Sequence, residues 1–234
     1  RMGERKLAQQ MHRQVKRRAR DELSDCPACQ ASDEADYYAF CNQPKKAVEA
    51  AAPVLQGRLR CVEEPHVALH RVLLPLLKLG RLSEAWHYQA RGYRLVAGKQ
   101  QFLEQHAQQL QFAALAGDLD LARRIFQRHL PCALAAPLEL DRYGFYVAAC
   151  LWLRRLREAG THQFKLRIPD GIPPPDTAGK YHVAELQSWF TQQAERLALR
   201  FDLRNGNDFY QRELANLDGL LSFSQPLKGR TDAI

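Results

Sequence analysis

Apolar residues recur along most of this chain at helical rather than strand spacing, and short polar turns interrupt them at regular intervals. Three of these turns align with one another. They read Cys41-Asn42-Gln43-Pro44-Lys45-Lys46-Ala47, Leu79-Gly80-Arg81-Leu82-Ser83-Glu84-Ala85 and Ala116-Gly117-Asp118-Leu119-Asp120-Leu121-Ala122, so their closing alanines stand 38 and 37 residues apart. Apolar runs precede them (Tyr37 to Phe40, Leu69 to Leu79, Phe102 to Leu115) and follow them (Val48 to Leu55, Trp86 to Val96, Ile125 to Leu134). Each unit therefore reads as helix, tight turn, helix. Gly80 and Gly117 suit a left-handed helix C-cap, Asn42 is the usual substitute for glycine there, and Ala47, Ala85 and Ala122 allow paired helices to approach closely.

The pattern predicts three helix hairpins over residues 24–136, preceded over 1–23 by a helix of a cut repeat and followed over 137–225 by a helical capping region. Within that cap, one helix runs from Pro137 to Glu158. Residues 161–180 then form an insertion, in which Gln163 to Ile168 alternates like a short strand and the following Pro-Asp-Gly-Ile-Pro-Pro-Pro segment cannot be helical. Helices resume over Val183 to Leu203 and Asp208 to Leu221, with Asp208 as a capping residue, and residues 226–234 read as a flexible tail.

The Gly-x-x-x-x-Ala spacing across these turns resembles the tetratricopeptide repeat, whose period is usually 34 residues. Asp21-Glu22-Leu23-Ser24-Asp25-Cys26-Pro27-Ala28-Cys29, Gly57-Arg58-Leu59-Arg60-Cys61-Val62-Glu63-Glu64-Pro65-His66 and Arg204-Asn205-Gly206-Asn207-Asp208 resemble bacterial proteins of tetratricopeptide type. The resemblance implies an all-α fold, a right-handed superhelical stack of antiparallel hairpins, and further repeats ahead of this region. It brings no established activity with it.

Charge changes the picture only at one end. The formal net charge is +8, but the first twenty residues hold eight Lys/Arg against Glu4 alone and so supply nearly all of it. The basicity is a terminal patch, with Arg13, Lys16, Arg17 and Arg20 placed to contact phosphates if the chain binds nucleic acid. No apolar run reaches membrane-spanning length and no signal-peptide core is present, so the expected location is cytoplasmic.

Six cysteines in a cytoplasmic chain argue against a disulfide framework, so Cys26-Pro27-Ala28-Cys29 asks for another explanation. A redox motif would need a preceding strand, which the pattern lacks. The 38-residue offset carries Cys26 to Glu64, a place flanked by Cys61 and His66. First helices of stacked hairpins lie side by side, so the two pairs meet, and three thiolates with one imidazole make a closed structural zinc site. Pro65 at a first helical position fixes the direction of His66. Buried reduced cysteines with a surface histidine remain the alternative. Cys41 lies about 22 Å of helix from Cys26, and Cys132 and Cys150 read as small core residues.

No nucleophile elbow, phosphate loop or paired-histidine metalloprotease motif is present, and His87, His106, His129, His162 and His182 share no repeated spacing. Trp86, Trp152 and Trp189 fall within apolar stripes and read as core. The repeat register places Ser32, Asp36, His70, Lys78, Glu104, Gln108 and Gln111 on a groove-facing surface, without a carboxylate-clamping Lys/Asn pattern. The leading reading is a non-catalytic protein- or peptide-binding scaffold stapled by zinc. A nucleic-acid-binding basic helix and a metal-dependent regulator stand as alternatives.

Overall fold

A computed structural model describes residues 2–168, 172–173 and 175–227, and these are mostly helical. The chain divides into two units, Arg1–Leu95 and Val96–Ile234. The third of the hairpins expected over 24–136 falls in the second unit.

In the first unit α1 (Arg5–Arg17) precedes α2 (Pro27–Phe40), α3 (Pro44–Leu55), α4 (His66–Arg71), α5 (Leu73–Lys78) and α6 (Leu82–Val96). The apolar run expected to form one helix over Leu69 to Leu79 is divided at Val72. Pro75 explains the break, because it lacks the N–H that would bond the carbonyl of Arg71 and its ring crowds that carbonyl. Helix α2 packs against α3 and α4, and α3 also meets α4 and α5. Ala28, Ala35, Ala51, Val54, Leu69, Leu73 and Leu76 fill the interior. No residue of α1 is buried, although His12 stacks on Tyr37 of α2 with ring centroids 3.9 Å apart.

The three aligned turns share one hydrogen-bonding scheme. Asn42, Gly80 and Gly117 have φ of 55°, 70° and 80°. In each turn the next amide reaches back to a carbonyl in the preceding helix: Gln43 to Tyr38 at 2.8 Å, Arg81 to Leu76 at 2.9 Å and Asp118 to Ala113 at 3.0 Å. Each such bond satisfies a carbonyl that the helix end would otherwise leave open. Ala47, Ala85 and Ala122 are completely buried, as close helix approach requires.

The second unit opens with a 3-10 turn (Gln100–Phe102) and continues through α7 (Leu103–Leu115), α8 (Leu119–Ala135) and α9 (Glu139–Glu158). Strands β1 (Gln163–Phe164) and β2 (Tyr181–His182) pair antiparallel, with Gln163 opposite His182 and Phe164 opposite Tyr181. The strand expected over Gln163 to Ile168 is therefore shorter. Within the proline-rich stretch, residues 169–171 and 174 lie outside the described residues. Helix α10 (Val183–Asn205) follows, then α11 (Phe209–Ala215) and α12 (Leu217–Leu221), where one continuous helix was expected. Helix α9 packs between α7 and α10, around a core of Phe126, Phe145, Trp152 and Phe190. The Phe126 and Trp152 centroids lie 4.7 Å apart. Trp86 and Trp189 are only half-buried.

One local expectation is corrected. Asp208 makes no side-chain cap. The first amides of α11 are instead taken by Asp202 of α10, whose carboxylate accepts from Tyr210 N at 2.9 Å and Gln211 N at 3.0 Å. Gln225, just ahead of residues 226–234, is bonded to the helices. Gln225 donates to the Leu115 carbonyl at 2.7 Å and accepts from Arg155 Nη2 at 2.9 Å, while Pro226 O lies where a Cβ on Gly117 would be 2.2 Å away. Glycine at 117 thus serves both the left-handed turn and this close approach. Residues 228–234 lie outside the described residues.

Candidate metal centre

Cys26 is the N-cap of α2, and Pro27 follows it at the first helical position, where its missing N–H costs nothing. The Cys26 sulfur accepts from Cys29 N at 3.3 Å, so the CPxC sequence turns both thiols toward the same side of the helix start. Cys61 comes from the connection between α3 and α4. Its sulfur lies 3.4 Å from that of Cys29, and the thiols of Cys26, Cys29 and Cys61 all stand within 4.8 Å of one another. In a tetrahedral site with metal–sulfur bonds of about 2.3 Å the sulfurs are separated by roughly 3.8 Å, so three thiolates can close on one ion with little movement.

The thiols differ electrostatically. Hydrogen bonding from the Cys29 amide holds the Cys26 thiol below its ordinary pKa. Burial, reinforced by the two neighbouring thiols, pushes Cys29 well above its own. Without a cation the cluster resists full ionisation, and a bound dication reverses that balance by neutralising the thiolates it gathers.

Among the described residues the donor group within 4.8 Å comprises these three cysteines, and His66 stands outside it. Pro65 is the N-cap of α4 rather than its first helical residue, which makes His66 the residue that opens the helix. The His66 ring contacts the Glu63 carbonyl through Nδ1 at 3.1 Å. With Nδ1 as donor, Nε2 carries the lone pair, which is the tautomer that metal-binding histidines commonly adopt.

Glu64 occupies the place that the repeat offset assigns opposite Cys26, and it has its own structural use. Its carboxylate is 3% exposed and accepts from Ala68 N at 2.9 Å inside the first turns of α4. Burial raises its pKa, opposed by hydrogen bonds from Ser32 and Ala68. Ser32 also accepts from Arg71 Nη1 at 3.2 Å, and the same nitrogen meets Asp33 at 2.7 Å. The α2–α4 contact beside the thiols is therefore bonded by polar side chains as well as packed.

Those contacts correct part of the expected groove. Ser32 and His70 are each 1% exposed, Ser32 because it faces Arg71 of α4 and the Glu64 carboxylate. A methyl added at Gly92 would lie 2.9 Å from the His70 ring, so α6 covers that histidine. Asp36 is half-buried, and Lys78 donates to Asn42 Oδ1 at 3.0 Å. Glu104, Gln108 and Gln111 belong to the second unit, where Gln108 Nε2 approaches Glu104 Oε1 at 3.4 Å.

The basic residues are similarly divided. Arg13 and Arg17 are exposed on α1, and Lys16 pairs with Glu34 at 2.7 Å. Arg20 lies beyond the helix end, bonded to Gln30 and to the Asp25 carbonyl. Cys41 and Cys150 are buried, the latter with its pKa pushed up to about 11 by burial, whereas Cys132 is only half-buried.

One pairing was missed. His106 of α7 and His129 of α8 stack with centroids 3.5 Å apart, both essentially buried. Burial lowers their pKa values to about 4 and about 3, with Arg128 adding to the effect on both and His106 further depressing His129. The signal was present: the two residues stand nearly equidistant from the turn at Gly117, so an antiparallel hairpin must bring them together.

Comparison of the chain with protein-family models, with curated proteins and with solved structures finds no match in any of the three. Among the described residues no helix is long and apolar enough to cross a membrane.

Proposed function

We propose that the chain is a non-catalytic, tetratricopeptide-like scaffold that binds a protein or peptide, with a structural zinc ion stapling its first two hairpins. The convergence of Cys26, Cys29 and Cys61 supports the metal part of this reading. Three thiolates from two separate segments favour a soft or borderline cation such as zinc over calcium or magnesium, which prefer oxygen donors. His66, five residues after Cys61 at the start of α4, is the fourth donor in this reading. A closed four-donor site leaves no position for substrate and contributes rigidity instead. The turn scheme repeated at Asn42, Gly80 and Gly117 supports the scaffold, since repeated hairpins present extended surface for a partner.

Elemental mass spectrometry on untagged protein, purified without chelator, tests the metal assignment. About one zinc per chain is expected in the parent and none in the Cys29→Ser, Cys61→Ser variant. His66→Ala should bind zinc more weakly, by roughly tenfold or more in competition with a chromogenic chelator. Metal-free parent protein, or full zinc content in the double cysteine variant, would overturn the assignment.

A further inference from the structure

The first unit holds a second concave site that the metal centre does not use. Val54 of α3, Gly57 and Arg60 of the following connection, Pro65 at the start of α4, and Arg91, Arg94 and Leu95 of α6 line a cleft of about 310 Å³. Three of these residues are arginines and none is acidic. That volume lies at the small end of ligand sites, suited to a single functional group and its immediate substituent.

The arginines are arranged rather than merely close in sequence. Arg91 and Arg94 are three residues apart on α6 and so share a face. Arg94 Nε donates to the Ala90 carbonyl at 3.2 Å, and Arg60 Nε donates to the Gly57 carbonyl at 3.3 Å. Each bond uses one of five guanidinium N–H groups and orients the plane, leaving the terminal forks for an acceptor. The Arg91 guanidinium sits 6.0 Å from the Tyr88 ring centroid. Gly57 has φ of 73°, and a Cβ there would lie 2.8 Å from Arg60 Nη2, so glycine makes the space in which Arg60 is seated. Val54, Pro65 and Leu95 supply an apolar wall beside the charges.

We infer that this cleft binds a phosphate monoester carrying a small apolar or aromatic substituent. Three guanidiniums without an acidic lining residue repel one another until an anion enters, and a dianionic phosphoryl group neutralises more of that charge than a carboxylate does. The apolar wall takes the substituent. None of the cleft residues is a thiol or imidazole, so the inference stands apart from the metal reading.

The test titrates phenyl phosphate into the full-length chain, with benzoate and inorganic phosphate as comparisons, following backbone amide and arginine Nε–Hε signals by NMR. Phenyl phosphate should saturate with a Kd below about 1 mM, roughly tenfold tighter than benzoate. Its affinity should weaken with added salt, because Arg60 and Arg94 are exposed. An Arg60→Ala, Arg91→Ala variant should lose about tenfold or more while keeping the parent Tm, and Leu95→Ala should weaken phenyl phosphate but not inorganic phosphate. No saturation by about 10 mM, equal affinity for benzoate, or undiminished binding in a folded double-arginine variant would overturn the assignment. Should that double variant fail to fold, Arg94→Gln supplies the same comparison from a more exposed position.

Discussion

If the cysteine cluster holds the proposed zinc, removing it should destabilise the first unit far more than any surface change, and the sequence separation of the cysteines sets the scale. Cys29 and Cys61 are separated by 32 residues, so a cross-link between them closes a loop of about that length. The chain-entropy relation for such a closure gives about 3.7 kcal/mol at 25 °C. Residual binding of metal to unfolded cysteines reduces this, and an observed loss of about 2 kcal/mol or more is expected. For a unit the size of Arg1–Leu95 that corresponds to a fall of roughly 8–16 °C in its thermal transition. Calorimetry with and without a strong chelator, in a metal-free reducing agent that prevents disulfide formation, reads it directly. A Cys26→Ser, Cys29→Ser, Cys61→Ser variant should melt like the chelated parent and be indifferent to chelator. Cys132→Ser should behave as parent, because that thiol lies outside the cluster. A chelator-insensitive transition in the parent would refute the staple, whatever its starting temperature.

Two further expectations concern the second unit. His106 and His129 have native pKa values of about 4 and about 3, below the unfolded value near 6.5, so the unfolded chain takes up protons first. Their contribution is complete above about pH 6.5 and is lost as pH falls toward those native values, with a combined slope of up to about 2.7 kcal/mol per pH unit. Urea unfolding between pH 7 and pH 5 should show this slope in the parent and roughly half of it in His129→Gln; identical slopes would count against the buried stack. Asp202→Ala should cost about 1–3 kcal/mol by orphaning the buried Tyr210 amide and the part-buried Gln211 amide, while Asp202→Asn should cost less because one acceptor oxygen remains. A loss under about 0.5 kcal/mol for the alanine variant, measured by the same urea method, would show that water replaces the cap.

The turns were legible because their chemistry is local. A left-handed Asn42, Gly80 or Gly117, followed by a small Ala47, Ala85 or Ala122, constrains the chain within a few residues, and the structure repeats the same bond at each place. Cys61 was legible for a different reason, since a repeat offset converts sequence distance into spatial adjacency. His66 was not brought into the cluster, because Pro65 became the cap of a short helix and aimed the next ring at the Glu63 carbonyl. Ser32 and His70 failed as groove residues because polarity suggests exposure only when no partner waits inside. Here Arg71 and Glu64 supply partners for Ser32 within the α2–α4 contact. The strand β2 and the cap by Asp202 both depend on segments that turn back over many residues, a distance that local propensity does not register.

The cysteine cluster and the arginine cleft meet in one short irregular segment, Gly57 to Pro65, in the connection between α3 and α4. Its N-terminal end is tied by Arg58 and Leu59 amides to the Pro53 carbonyl, and its C-terminal end by the buried Glu64 carboxylate to α4. Between those ties sit Arg60, which faces the cleft, and Cys61, which faces the thiols. Arg60 and Cys61 are adjacent in the chain, so one stretch of backbone can serve both sites without sharing a side chain. Fixing Cys61 by a metal therefore limits the freedom of Arg60, and an anion that fixes Arg60 limits the freedom of Cys61. Because such coupling is reciprocal, zinc should tighten phenyl phosphate binding by the same factor by which phenyl phosphate tightens zinc. Titrating each ligand in the presence and absence of the other measures both factors. Unequal factors would show that one of the measurements is not at equilibrium, and factors of one would show that the ties at Pro53 and Glu64 already hold the segment unaided.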